Sequence, residues 1–402
     1  MLRKTALTAV VLVLCICTGC QTHQQNKAAA QLRWQKASAK IKLRLAEQQF
    51  ESGQYEQARK NIAECLEADP ESAQAHLLFG KLLLARDRGG QAASELLAAV
   101  TLDESLAEGW YWLGAAAEQS GRTDQALEYY TKALELDGDE TDYVLAVAQS
   151  RAASGQPREA LSLLNEKMRQ KPADVSLKVA AADIMFGNRQ YDEAIKLYER
   201  AMLLAEDDHD IAQSLGYCYI FAGRPKQAAE IFKSLAERCD NASSDDDGVA
   251  AVQERTKKLY LEIAALCSMQ SGRYDTAVDC YDKLTVECRN DADVWIKLGQ
   301  AALGAGLHSR AVMCGQRALT LQPGNADAMT LIGCARYAGG EYQAAAETFE
   351  KLTGRPDCGA LSWLMLGRCE EKLGRLSQAE AAYRKALQLQ PDSKLGRLLA
   401  RD

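Results

Sequence analysis

Residues 110–138, WYWLGAAAEQSGRTDQALEYYTKALELDG, contain the pattern that decides the fold. Two stretches with apolar side chains three and four residues apart flank a polar break at Gly121. That spacing predicts two amphipathic helices, and a glycine at the break permits a tight turn between them. Ala126 lies early in the second helix, and Tyr130 follows on the same helical face. We therefore expect a helix–turn–helix unit in which the small alanine lets the two helices approach closely.

The same frame recurs along most of the chain. Trp110, Trp295 and Trp363 each stand at the same spacing before an equivalent alanine, and a large apolar or aromatic residue follows most of the alanines by four positions. One such unit cannot bury its apolar face alone, so a run of them must be stabilised by stacking on neighbours. The alanines recur at one constant interval, broken by a single longer interval between Ala228 and Ala277: Ala58, Ala92, Ala126, Ala160, Ala194, Ala228, Ala277, Ala311, Ala345 and Ala379.

A repeat of about 34 residues with W-x2-L-G, a small alanine, an aromatic residue and a closing proline resembles the tetratricopeptide (TPR) repeat. The resemblance implies an all-α fold, a right-handed α-solenoid of about ten TPR helix–turn–helix units. It also implies that the first helices line a groove that receives a peptide or a partner helix. We divide the chain into a signal peptide (1–19), a lipidated tether and basic helix start (20–38), TPR units 1–6 (39–242), an acidic insert or extended helix (243–257), TPR units 7–10 (258–393) and a C-terminal cap (394–402).

Two departures from the frame carry expectations of their own. Gly315 stands where an aromatic residue is expected, so we expect the eighth unit to pack loosely there. The fifteen extra residues between Ala228 and Ala277 include Asp245, Asp246 and Asp247. They are consistent with a solvated loop leading into an extended helix, with a hinge, or with calcium binding. The aspartates lack the alternating ligands of an EF-hand, so calcium is the weakest of these interpretations.

The N-terminus, MLRKTALTAVVLVLCICTGC, has a short basic start and an apolar run of about a dozen residues, shorter than the roughly 20 that a membrane-spanning helix needs. Such a stretch with small residues at its end is typical of a secretory signal peptide. Thr18 and Gly19 before Cys20 resemble the bacterial lipobox, which implies lipidation (palmitate included) of Cys20. Gln21 after the cysteine implies sorting to the outer membrane, facing the periplasm. Simple secretion and an uncleaved anchor are the alternatives.

Charge is distributed unevenly along the chain. Six Lys and Arg side chains and no acid lie between Gln21 and Ala46, and all 55 acidic residues lie from Glu47 onward. An acidic body argues against nucleic-acid binding, which needs cations to neutralise phosphates. The basic segment is consistent either with contact to anionic lipid headgroups or with an ordinary solvated helix.

Residues able to carry chemistry are few. The four histidines are scattered over the sequence, and the common hydrolase, zinc-protease and phosphate-binding motifs do not occur. Ten cysteines remain after Cys20, and nine of them follow residue 217. For an exported chain we expect one or two disulfides and mostly free buried thiols. We expect no catalytic residue, no metal site and no cofactor.

The remaining candidate is the groove that the resemblance implies. Tyrosine and glutamine side chains with a few charges suit a polar contact to another protein, although any one of them could be ordinary surface. We expect a membrane-anchored TPR scaffold in bacterial envelope assembly: pilus biogenesis, outer-membrane assembly, or wall and polysaccharide machinery. The alternatives are an enzyme or enzyme subunit with a thiol or metal site in the Cys-rich half, and a soluble secreted TPR protein. The predicted groove residues are Tyr111, Gln149, Asp183, Tyr217, Gln300, Tyr337 and Arg368.

Overall fold

The computed structural model describes residues 2–241, 247–356 and 358–390, with side chains for residues 26–239, 248–356 and 358–390. Within these ranges the chain forms twenty helices and no strand, which confirms the predicted all-α fold of helix–turn–helix units. The helices are α1 (Leu2–Glu51), α2 (Tyr55–Ala68), α3 (Ala73–Leu84), α4 (Gly89–Leu102), α5 (Ala107–Gln119), α6 (Thr123–Leu136), α7 (Thr141–Ala153), α8 (Pro157–Gln170), α9 (Val175–Gly187), α10 (Tyr191–Met202), α11 (His209–Phe221), α12 (Pro225–Asn241), α13 (Asp247–Gln270), α14 (Tyr274–Glu287), α15 (Ala292–Gly304), α16 (His308–Leu321), α17 (Ala326–Ala338), α18 (Tyr342–Thr353), α19 (Ala360–Lys372) and α20 (Leu376–Leu389).

The repeating alanines lie where the two helices of each unit meet. All ten are at most 3% exposed, as the predicted close approach requires. On the opposing first helix a glycine often faces the large residue that follows the alanine by four. A Cβ atom added at Gly114 would lie 2.6 Å from the Tyr130 ring, and one added at Gly367 would lie 2.5 Å from the Tyr383 ring. The glycine and the ring are therefore a matched pair, and the ring occupies the volume that a side chain would need.

The turns between paired helices need a residue with left-handed backbone. Glycine supplies it in eight repeats, for example Gly121 with φ 72° and Gly272 with φ 74°. Asp87, with φ 62°, and Arg189, with φ 61°, occupy the equivalent turns of two repeats. For residues with a Cβ atom this conformation costs about 1–2 kcal/mol, so these two turns are strained.

Packing around Gly315 is tight, so the loose packing expected from the sequence is wrong. A Cβ atom at Gly315 would lie 2.5 Å from Cγ1 of Ile332. A Cβ atom at Gly299 would likewise lie 2.4 Å from Cδ2 of Leu331. These two side chains come from α17, in the following repeat, and they fill the volume that an aromatic residue at 315 would otherwise take.

The helices form two compact units, Met1–Asn188 and Arg189–Asp402. In each unit, successive helices pack on one another in chain order. The first helix of each repeat is the odd-numbered one. First helices of neighbouring repeats also touch, as α1 with α3, α3 with α5 and α7 with α9 in the first unit, and α15 with α17 and α17 with α19 in the second. Each unit therefore presents a face built from first helices.

The insert and the two ends fall partly outside the described residues. α12 ends at Asn241 and α13 begins at Asp247, so the part of the insert from 247 to 257 is helical. Residues 243–246 and the predicted cap, 394–402, lie outside the described residues. α1 runs without a break through the predicted tether, and the side chain of Cys20 is not among those described. In the part of the chain that the structure describes, no helix is both long enough and apolar enough to cross a membrane.

Candidate functional site: the face of the first helices

All seven predicted groove residues lie on first helices of repeats. Gln149, Asp183, Gln300 and Arg368 are exposed, whereas Tyr111, Tyr217 and Tyr337 are partly buried. Five of the seven share one register, at intervals that match the repeat, and Tyr111 and Tyr337 lie one helical turn to either side of that register. The structure divides the set between the units: Tyr111, Gln149 and Asp183 belong to the first, and Tyr217, Gln300, Tyr337 and Arg368 belong to the second.

In the first unit, Tyr111 is the centre of an aromatic cluster. Its ring lies 5.4 Å from Trp112, 5.5 Å from Tyr130 and 5.2 Å from Tyr143, measured between ring centroids. Burial raises the pKa of Tyr111, and burial followed by nearby acids raises the pKa of Tyr143 to about 12. Both hydroxyls therefore remain neutral hydrogen-bonding groups over the physiological pH range, and the rings offer a rigid apolar surface.

Sequence reasoning missed Lys81, which lies on α3 in the same first unit. Its ammonium group lies 2.8 Å from Oε1 of Glu108, 5.8 Å from the centroid of the Phe50 ring and 5.3 Å from that of the Trp112 ring. The indole N–H of Trp112 also donates to Oε1 of Glu108, at 3.2 Å. A signal was present, because Lys81 stands two repeat intervals before Gln149. The N-terminal part of this face is thus a cation held between two aromatic rings.

Tyrosine–glutamate pairs fix first helices to second helices beside the face. The hydroxyl of Tyr130 donates to Oε2 of Glu118 at 2.7 Å, and that of Tyr383 donates to Oε2 of Glu371 at 2.6 Å. The two pairs have the same spacing in sequence and stand in equivalent places of different repeats. Burial first, and the bond to the carboxylate second, raises the pKa of each tyrosine well above its usual range.

In the second unit, neighbouring rings hold two of the predicted tyrosines in place. The Tyr217 ring packs edge-on against Phe232, with centroids 5.3 Å apart, and the Tyr337 ring packs edge-on against Tyr342 at 5.4 Å. Exposed Gln300 and Arg368 share their register with Leu266, which is also exposed. Anchored aromatic rings beside adaptable polar groups are a composition enriched where proteins bind other proteins.

The structure provides no support for a thiol or metal site in the residues that it describes. There, no group of three or more His, Cys, Asp or Glu side chains is arranged to hold a metal ion. No disulfide bond links any two of the ten cysteines with described side chains, so the one or two expected disulfides do not form among them; six of the ten are buried within the helix packing. Burial raises the pKa of Cys314 and of Cys369 to about 11, which favours the unreactive thiol over the thiolate.

Two cavities of the described surface lie away from the predicted residues. A cavity of 440 Å³ lies along α6 and is lined by side chains that include Asp124, Glu128 and Glu135. Another, of 360 Å³, is lined by residues of α18, α19 and α20, among them Trp363 and Lys385. None of the seven groove residues lines either of these two cavities.

Comparison with known proteins identifies the repeats. Family models described as tetratricopeptide repeat match residues 43–107, 265–326 and 330–394, residues 107–140, and residues 151–214 and 185–243. Among curated proteins, tetratricopeptide repeat protein 8 of Caenorhabditis elegans is 23% identical over 244 residues, covering 59% of this chain and 45% of that protein. Lipopolysaccharide assembly protein B of Escherichia coli K12 is 25% identical over 247 residues, covering 54% of this chain and 60% of that protein. The chain thus spans about half the length of these curated relatives.

Two solved structures are similar at the level of helix arrangement. PilW, described as a widely conserved type IV pilus biogenesis factor, has a TM-score of 0.47 and 19% identity, with 51% of this chain and 95% of that chain covered. Pseudomonas aeruginosa pilF has a TM-score of 0.45 and 17% identity, with 52% and 95% covered.

Proposed function

Because this chain belongs to the tetratricopeptide repeat family, we propose that it is a non-catalytic scaffold that binds other proteins through the faces of its first helices. In this proposal Gln149, Asp183, Gln300 and Arg368 supply exposed polar contacts. Tyr111, Tyr217 and Tyr337 supply the anchoring rings. The proposal includes no nucleic-acid ligand, because all 55 acidic residues of the chain lie from Glu47 onward, the part that contains the repeats.

One observation supports the proposal most directly: three half-buried tyrosines on first helices are held by neighbouring rings, and other first helices expose polar residues. Tyr217 against Phe232 and Tyr337 against Tyr342 are both edge-on ring pairs. A ring that is already fixed loses little conformational entropy when a partner covers it. Pre-positioned tyrosines of this kind are typical of the residues that contribute most to a protein interface.

We place the scaffold in bacterial envelope assembly, lipid-anchored at Cys20 and facing the periplasm from the outer membrane. The signal-like N-terminus supports export, and the residues around Cys20 support lipidation. The similarity to a protein named lipopolysaccharide assembly protein B supports a role in building the envelope. Pilus biogenesis, outer-membrane assembly and wall or polysaccharide machinery are all compatible with such a role.

Site-specific photocrosslinking in intact cells tests the binding face. A photoreactive amino acid at Gln300 or Arg368 should give discrete crosslinked bands, because both side chains are exposed on first helices. The same group at Glu347, an exposed residue of the second helix α18, is the matched control. Tyr217→Ala and Tyr337→Ala should each weaken the crosslinked contact about tenfold or more, as expected for an anchoring ring. Bands of equal intensity from Glu347, or bands unaffected by both tyrosine variants, would exclude this face.

Metabolic labelling with an alkyne fatty acid tests the anchor separately. The wild-type chain should incorporate the label, and Cys20→Ala should abolish incorporation, because the thiol of Cys20 is the proposed attachment point. Labelling that persists in Cys20→Ala would place the lipid elsewhere, and an unlabelled wild-type chain would favour the soluble secreted alternative.

A further inference from the structure

The N-terminal helix α1 has one face that the repeats do not cover. Ala39 and Ala46 are buried against the first repeats, with Leu43 packed beside them, and they define the inner side of the helix. On the other side Trp34 is 71% exposed, Ile41 is 72% exposed and Leu45 is 44% exposed. A large aromatic ring and two aliphatic side chains are therefore left in water on an element whose inner face is already packed.

These three side chains form one stripe. They are separated by seven and then four positions, which places them within about 40° of one another around an α-helix. Lys27, also exposed, stands seven positions before Trp34 and continues the stripe toward the N-terminus. We call this surface the α1 outer face.

Positive charge lies beside the stripe without acidic neighbours in sequence. Three exposed cations, Arg33, Lys40 and Arg44, lie to one side of it, about 80–120° around the helix from its centre, whereas exposed Lys36 lies on the opposite side of α1. The first acidic residue of the chain is Glu47, so no carboxylate on α1 lies within this stretch. Lys42 differs from these three, because it points toward α2 and pairs with Glu64 at 2.8 Å. The cations beside the stripe are thus available to an anionic surface.

We propose that the α1 outer face lies on an anionic lipid bilayer, with Trp34, Ile41 and Leu45 among the headgroups and the flanking cations against lipid phosphates. An amphipathic helix with a basic polar face and an aromatic anchor has the composition of helices that lie in the membrane interface. Each cation near an anionic surface strengthens binding about fivefold, so Arg33, Lys40 and Arg44 together contribute substantially. The repeats, which carry the acids, are repelled from the same surface and remain in solution. The proposal depends neither on the protein-binding face nor on lipidation of Cys20.

Depth-dependent tryptophan quenching of the full chain on vesicles tests the proposal. The readout is local, because an anchored chain associates with any vesicle but only a docked α1 brings Trp34 to the lipid. Vesicles of two parts phosphatidylcholine to one part phosphatidylglycerol, brominated on the acyl chains, should quench a fraction of the emission. Trp34→Phe should remove that fraction. Trp295→Phe is the matched control and should leave it intact, because Trp295 lies on α15 and donates its indole N–H to the carbonyl of Arg289.

Charge variants and vesicles of different lipid composition test whether the cations of α1 bind anionic lipid. Replacing Arg33, Lys40 and Arg44 with Gln should weaken vesicle binding, measured from the quenching isotherm, by about tenfold or more, and pure phosphatidylcholine should do the same. Quenching that survives Trp34→Phe, or that is equal on neutral vesicles, would overturn the proposal. Protection of Trp34 that depends on protein concentration and not on vesicles would assign the face to a second copy of the chain instead. None of these results affects the crosslinking or the lipid-labelling experiment, so the two proposals can fail separately.

Discussion

At the scale of single residues, the glycine–ring pairs are the most sensitive points of the fold. Gly114→Ala would place a methyl group 2.6 Å from the Tyr130 ring, which is itself held by Glu118. Overpacking of this kind costs about 1–3 kcal/mol and outweighs the gain in helix propensity from alanine. We expect the urea unfolding midpoint, followed by circular dichroism, to fall accordingly.

Gly187→Ala is the matched control for this substitution. Gly187 is the last residue of α9, and a Cβ atom there would meet no atom within 4 Å. The same chemical change should therefore be neutral or should stabilise by up to about 1 kcal/mol. Equal destabilisation by both substitutions would show that loss of glycine, and not contact with the ring, is responsible.

At Arg189, introducing a glycine should stabilise the fold rather than destabilise it. Its φ of 61° occupies the turn slot that glycine fills in most repeats, so Arg189→Gly should raise the free energy of unfolding by about 1 kcal/mol. Asp87→Gly relieves similar strain but loses the acceptor of the amide of Gln119, bonded at 2.5 Å. The gain at position 87 should therefore be smaller when both variants are compared in urea. A lower midpoint for Arg189→Gly would contradict the assignment of strain to this turn.

The sequence predicts residues best where one side chain has one local role. The buried alanines and the turn glycines follow from spacing alone, because their neighbours lie in the same repeat. Gly315 shows the limit: its missing ring is replaced by Ile332 from the next repeat, and spacing within a repeat contains no such information. Lys81 shares its register with Gln149, two repeat intervals later, so it could have been predicted from that register.

At the scale of helices, α13 is extended by the insert, and Lys257 in its middle forms an ion pair with α14. Nζ of Lys257 lies 2.8 Å from Oε1 of Glu287, the last residue of α14, and the two side chains are only 19% and 18% exposed. Nζ of Lys258 lies 4.0 Å from the other carboxylate oxygen, and its side chain is 32% exposed. The two adjacent lysines thus differ in distance and burial while sharing one carboxylate.

Lys257→Met should lower the free energy of unfolding by about 2 kcal/mol, because it leaves a mostly buried carboxylate without its nearer cation. Lys258→Met should cost about 0.5 kcal/mol or less, as is usual for a more exposed pair. Urea titration of both variants at low salt measures the difference, and about 1 M NaCl should reduce it by screening the charges. Equal losses would mean that Glu287 interacts with both lysines to the same extent.

The insert and the protein-binding face show which features of the helices can be predicted from the sequence. The single long interval between alanines predicts an insert between two repeats, and residues 247–257 of it are helical. The seven groove residues do lie on first helices, because helical period and repeat period together fix which helix and which side a residue occupies. Which rings are held in place by neighbours, as Tyr217 is by Phe232, depends on contacts between helices that sequence spacing does not specify.

At the scale of the whole molecule, the division into two compact units was not visible in the sequence. It falls between Asn188 and Arg189, where the interval from Ala160 to Ala194 is the same as in the other regular repeats. The insert, for which a hinge is one of three interpretations, lies within the second unit, where α12 and α13 pack directly on each other. The period of the sequence shows that a repeat recurs. It does not show how strongly each repeat packs on the next, because that depends on many small contacts between side chains.

The buried thiols and phenols, spread over both units, make alkaline pH a test of the entire fold. Burial raises the pKa of Cys314 and Cys369 from 9.0 to about 11, and burial with nearby acids raises that of Tyr143 from 10.0 to about 12. At a pH between the ordinary pKa and the raised pKa of a group, the unfolded chain has lost the proton that the folded chain retains. The unfolded state then binds fewer protons, so the free energy of unfolding must fall as pH rises.

We therefore expect a thermal midpoint that is nearly constant from pH 7 to about 8.5 and falls progressively from about pH 9 to 11. Replacing both Cys314 and Cys369 with Ala should flatten the first part of the decline, since their thiols titrate there in the unfolded chain, while the tyrosine contribution above pH 10 should persist. The informative quantity is the slope of the thermal midpoint against pH, because each substitution also changes packing and therefore shifts the midpoint itself at every pH. A slope between pH 9 and 10 that the double variant leaves unchanged would mean that these thiols titrate alike in the folded and unfolded chains. The helices would then not shield them from water.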